Sequence, residues 1–162
     1  MPNNEFDRLP VTDADETDPF LYAALDEARE GLREGGIPTG SVLVIDGRIV
    51  GRGHNRRVQQ GSAVLHAEMD CLERAGRLRA ADYARATLYS NALALRHVQR
   101  GDPAVSHPRV VIGENTHYRG PAEEYLRSRG VELDVRNDTE CVRLMREFIA
   151  ARPELWAEDV GE

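Results

Sequence analysis

His66-Ala67-Glu68 sets an imidazole two residues ahead of a carboxylate at the start of an apolar run. That spacing suits a metal-binding histidine beside a glutamate that carries protons. Hydrolysis near neutral pH needs a nucleophile made from water. A zinc ion held by one histidine and two thiolates lowers the pKa of its water and keeps a fourth position open. A carboxylate that is not a ligand then moves the proton to the leaving group. The chain supplies the histidine and the carboxylate, but its only cysteines are Cys71 and Cys141, with none between them.

The elements that must position these residues are marked by period and punctuation. Asp18-Pro19 is a helix start, and Leu21, Leu25, Ala28 and Leu32 recur at helical spacing until Gly35-Gly36. Ser41 to Ile45 is an apolar strand, Asp46-Gly47 a hairpin turn, and Arg48 to Gly53 the partner strand. His54 to Gly61 reads as a polar loop and Ser62 to Ala75 as a second helix closed by Gly76. Strands follow at Ala86 to Ser90, Arg109 to Gly113 and Val131 to Val135, with a short helix from Gly120-Pro121 to Gly130. Asp138 to Ala150 is the final helix, and an acidic tail runs on from Arg152. This order predicts an α/β fold, a mixed sheet covered by helices. Parallel strands need a crossover, so Leu93 to His107 should be a helix. Gly101-Asp102-Pro103 interrupts that span, and an interior proline costs a helix about 3 kcal/mol.

A chain of 162 residues with 41% apolar content suffices for one domain, over 18–162, after an acidic, loosely ordered leader over 1–17. No stretch approaches the roughly 20 apolar residues of a membrane span, and the N-terminus lacks the layout of a signal peptide. Two distant cysteines suit a reducing compartment, hence a cytoplasmic protein. A net charge of −7 argues against a broad nucleic-acid footprint, and Arg56-Arg57 and Arg74, Arg77 and Arg79 read as solvated surface. All 21 basic residues are arginine, which points to a G/C-rich gene.

As an isolated motif, H-A-E more often marks a helix with an incidental histidine. Its surroundings change that reading. Gly35-Gly36-Ile37-Pro38, Gly51-Arg52-Gly53-His54-Asn55, Gly61-Ser62-Ala63, Leu65-His66-Ala67-Glu68 and Gly113-Glu114-Asn115 stand in the order and spacing of the fungal-type cytosine deaminases. So does the closing run from Arg152 to Glu162, the most specific part of the resemblance. The chain resembles that family over about four fifths of its length. The resemblance implies a three-layer α/β/α fold of the cytidine-deaminase type, with five strands and helices on both faces. It implies zinc-dependent hydrolysis of cytosine to uracil and ammonia in pyrimidine salvage, by a homodimer acting on a small pyrimidine base. His66 would be a zinc ligand and Glu68 the general acid/base. Asn55 would hydrogen-bond the ring, Asp159 would read its N–H groups, and Trp156 and Tyr118 would wall the pocket. Without the resemblance, Trp156 reads as core, Asp159 as an exposed acid and Asn55 as a turn residue. Deamination of a nucleoside, guanine or a tRNA adenosine, or a catalytically inactive scaffold, are the alternatives.

In that family H-x-E is completed by P-C-x-x-C. Here the two cysteine positions carry Leu95 and Val98, and the departure is confined to about 92–107, with the length unchanged. This is the pattern that two compensating single-base frame slips would produce. Joining the last two bases of each codon to the first base of the next lets Ala94 to Pro108 be read as P-C-D-M-C-S-G-A-I-L-L-Y-R-I. The reading restores both cysteines and an uninterrupted apolar helix. In a G/C-rich gene, the first bases of the written codons would then be true third bases, rich in G and C. From Leu93 to Pro108 every residue except Ser106 has a codon starting with G or C. The literal chain is therefore expected to bind zinc poorly and to be nearly inactive, with low order or a proline-broken helix in the altered window. His97 and His107 are read as bystanders, and Cys71 and Cys141 as core residues.

Overall fold

The structure, a computed structural model, describes residues 18–92, 108–118 and 122–161. Residues 1–17, 93–107, 119–121 and 162 lie outside the described residues. The expectations for the leader, the crossover helix, its predicted disorder, and positions 95 and 98 fall there.

Alternating side chains give one sheet two apolar faces. Gly40–Ile45 (β1), Arg48–His54 (β2), Thr87–Ala92 (β3), Arg109–Glu114 (β4) and Glu132–Val135 (β5) line up in the order β2-β1-β3-β4-β5. β1 is antiparallel to β2 and β3, whereas β3, β4 and β5 are parallel, so the sheet is mixed. The turn between β1 and β2 falls on Asp46 and Gly47, both at positive φ. Leu43, Ile45, Leu88, Val110 and Ile112 point to one face, where Cys71 and Leu126 join them. Val42, Val44, Tyr89 and Val111 point to the other, against Leu21, Leu25, Cys141 and Leu144. The period of two along each strand thus produces the three layers.

Helices complete both faces. Pro19–Arg33 (α1) begins where Asp18 accepts from the Phe20 amide, as its cap pattern predicts. Arg57–Gln60 (α2) is one turn within the predicted polar loop. Ala67–Ala75 (α3) is shorter than the predicted helix from Ser62. The Ser62 hydroxyl accepts from the Val64 and Leu65 amides at 3.2 and 3.1 Å, holding that stretch in a turn. Ala80–Tyr83 (α4), Ala122–Ser128 (α5) and Thr139–Ala151 (α6) follow. Pro153–Val160 (α7) lies in the acidic tail, where no helix was assigned from sequence, with proline in its first turn and Gly161 in a left-handed cap. No helix among the described residues is long and apolar enough to cross a membrane.

Candidate active site

α3 carries the centre. His66 is its N-cap residue, extended at φ −62° and ψ 165°, and Glu68 lies in the first turn. Both are buried, at 5% and 3% exposure. Glycine makes this burial possible. A Cβ on Gly53 would lie 2.5 Å from the Cys71 amide nitrogen, so β2 and α3 pack backbone to backbone. Burial pushes the Glu68 carboxyl up to about 7; the charge of Asp159 adds to the rise and a backbone hydrogen bond opposes it. A carboxyl that titrates near neutrality can both take and give a proton at working pH.

The remaining predicted residues arrive from three other elements. Asn55 follows β2, fully buried, with its backbone N–H donating to the Thr39 carbonyl at 2.9 Å. Trp156 and Asp159 lie on α7, and Trp156 packs against the Ile37, Ala92, Met145 and Phe148 cluster. Tyr118 follows the turn after β4. Asn55, His66, Glu68, Tyr118, Trp156 and Asp159 line one pocket. All six predicted site residues therefore meet at one place.

Thr39, Ala92 and Glu114 complete the wall and were not singled out from sequence. Glu114 is buried, and its Oε2 accepts from the Thr116 amide at 2.8 Å, the Thr116 hydroxyl at 2.7 Å and the His117 amide at 3.3 Å. It shapes the turn that leads to Tyr118. Its signal was available in the Gly113-Glu114-Asn115 motif. Arg56 and Arg57 are not the solvated surface they resemble. Arg56 Nε lies 3.0 Å from Asp70 Oδ2, and Arg57 Nη1 lies 2.5 Å from Asp159 Oδ1.

The donor set of the described residues does not fit zinc. Among the described residues no group of three or more His, Cys, Asp or Glu side chains could hold a metal ion. Cys71 is buried in the core, where burial pushes its thiol up to about 12. Cys141 is buried on α6, its thiol likewise pushed up by burial and packed where a Cβ on Gly113 would meet it at 2.6 Å. Neither offers a thiolate. Leu95 and Val98 are hydrocarbons and have no lone pair to give.

With this geometry, the comparisons with known proteins agree. Residues 15–95 match the cytidine and deoxycytidylate deaminase zinc-binding region. The cytosine deaminase of Candida albicans is 42% identical over 143 residues, covering 88% of this chain and 95% of that protein. A tRNA-specific adenosine deaminase of Streptococcus pyogenes is 46% identical over 56 residues, 35% of each chain. The structure of NE0047 in complex with 2,6-diaminopurine superposes with a TM-score of 0.68 at 17% identity, over 81% of this chain and 80% of that one. The fold and site define a hydrolytic deaminase of α/β/α architecture. The chain belongs to the cytidine and deoxycytidylate deaminase family.

Proposed function

We propose that the pocket is a cytosine-deaminase site that retains its base-binding and proton-carrying residues and lacks two of its three metal ligands. The convergence of Asn55, His66, Glu68, Tyr118, Trp156 and Asp159 on one pocket carries this reading. The reaction would add water at C4 of cytosine and release ammonia, leaving uracil. Asn55 and Asp159 hold the ring by its polar edge, and Trp156 and Tyr118 cover its faces and exclude water. Glu68, buried and titrating near 7, carries the proton from water to the ring nitrogen and the departing amine. In the family zinc supplies the hydroxide nucleophile; His66 would be one of its ligands, and the other two are missing as written. Turnover by the literal chain is accordingly very slow. The resemblance also supports a homodimer and a cytoplasmic setting.

The test compares two proteins: the chain as written, and one with residues 94–107 replaced by the shifted-frame segment. Cytosine, cytidine and a tRNA adenosine stem-loop are assayed side by side, with ammonia release as readout. The replaced protein deaminates cytosine at least about a hundredfold faster than the literal chain, and prefers it to both other substrates. Equal rates for the two proteins, or a preference for the stem-loop, refute the reading.

A further inference from the structure

Arg57 reaches both polar residues that would read a base, although it does not itself line the pocket. Its backbone N–H donates to Asn55 Oδ1 at 3.0 Å. Its Nη1 donates to Asp159 Oδ1 at 2.5 Å and to the Asp159 carbonyl at 3.2 Å, across 102 residues of sequence. The Asp159 side chain is only 6% exposed and that of Arg57 25%.

Each contact removes an ambiguity. An asparagine amide has an acceptor end and a donor end of nearly equal shape, and neighbours decide which way it faces. An N–H aimed at Oδ1 fixes the orientation and leaves the NH₂ of Asn55 as the donor, hydrogen-bonded toward Asp159. Asp159 has the opposite difficulty. Burial pushes its carboxyl up, toward the neutral acid, which would donate instead of accept. The Arg57 charge and hydrogen bond, with help from Asn55, oppose that rise. A donor and a carboxylate acceptor then stand side by side at the pocket wall. A free pyrimidine base offers the complementary edge, a ring carbonyl (O2) beside a ring N–H (N1). In a nucleoside N1 carries the sugar, and that N–H is gone.

We propose that Arg57 is the positioning residue for base recognition: it fixes Asn55 as donor and Asp159 as acceptor, and so selects a free base over its nucleoside. This rests on the base-binding reading of the pocket. The backbone contact survives substitution, so side-chain variants isolate the grip on Asp159.

The experiment measures cytosine and cytidine affinity by calorimetry for the wild-type chain, Arg57→Gln (R57Q) and Arg57→Lys (R57K). The wild-type chain binds cytosine at least about tenfold more tightly than cytidine. R57Q loses most of that ratio through weaker cytosine binding, with cytidine little changed, and R57K recovers it by restoring the charge. A purely structural role would weaken both ligands together. An unchanged ratio in R57Q, or equal loss for both ligands, overturns the proposal while leaving the base reading intact. Wild-type protein that binds neither ligand overturns the base reading and the Arg57 role with it. Should R57Q melt below the assay temperature, R57M, which keeps the aliphatic stem, carries the same comparison.

Discussion

His54 Nδ1 lies 2.9 Å from Glu27 Oε2, and its Nε2 lies 2.7 Å from Glu34 Oε1, so a single buried imidazole ties the end of β2 to α1 and to the residue that caps its C-terminus. Both ring nitrogens face carboxylates, one on each side of the ring. Asn55 is the next residue. The charge cluster thus anchors the segment from which the pocket's asparagine is presented.

The anchor weakens in acid. Burial raises the Glu27 and Glu34 carboxyls, but hydrogen bonds from His54, joined by Arg52 at Glu27 and Gln59 at Glu34, outweigh it and hold both below 4.5. A depressed folded pKa contributes stability that is present above the unfolded value and lost as pH falls through the folded one. The melting temperature of the wild-type chain should therefore drop as pH is lowered from 5 to 3. Glu27→Gln should melt several degrees lower at pH 7 and show a smaller acid-induced drop. Circular-dichroism melts at half-unit pH intervals measure both slopes, and parallel slopes would remove Glu27 from the account.

Gly53 makes a second prediction about the scaffold. An added Cβ would meet the Cys71 amide nitrogen at 2.5 Å and the Asp70 carbonyl carbon at 2.7 Å, backbone atoms that cannot rotate away. Gly53→Ala must push α3 off β2, which costs about 3 kcal/mol and displaces His66 and Glu68 together. Gly47→Ala is the control: nothing lies within 4 Å of its Cβ, and only the positive φ of 74° penalises it, by about 1 kcal/mol. Urea titrations rank the two, and cytosine binding should be lost only in G53A.

Sequence punctuation located the hairpin at Asp46-Gly47 and the cap at Asp18 because each depends on local chemistry that a few residues determine. The start of α3 did not show, since Ser62 reads equally as a helix cap or as a turn former. The two amides that take its hydroxyl decide the matter in space. α7 was masked by its charge, although Pro153 and Gly161 carried the start and stop signals. Arg57 and Asp159 could not have been paired from sequence, because neither shows an apolar period and they stand 102 residues apart. Glu68 was placed by resemblance; its burial and raised pKa were visible only in three dimensions.

Metal content follows from the donor chemistry. Protein made from the literal sequence should retain well under 0.1 zinc per chain after gel filtration, because one imidazole cannot hold the ion against dilution. Replacing residues 94–107 with the shifted-frame segment should bring the content to about one zinc per chain. Elemental analysis reads both directly. Sequencing the gene gives an independent check: codons from Ala94 to Pro108 that cannot be read as P-C-D-M-C-S-G-A-I-L-L-Y-R-I would end the frame-slip account. A full zinc complement in the literal chain would require ligands other than those positions.

Glu68 should show a conflict between stability and function. Its side chain is buried, and its Oε1 has no hydrogen-bond partner among the described residues. A buried carboxylate without full pairing is costly, and a neutral amide of the same shape costs less to bury. Glu68→Gln should therefore stabilise the metal-free chain at pH 8 by about 1–2 kcal/mol, a rise of a few degrees in melting temperature. In the protein carrying the shifted-frame segment, the same substitution removes the proton carrier and should lower cytosine turnover at least a hundredfold, with cytosine affinity within about threefold of its parent. Stability and turnover would then move in opposite directions on one substitution. An E68Q chain that melts lower than its parent would show that Glu68 is held by interactions that make its burial favourable.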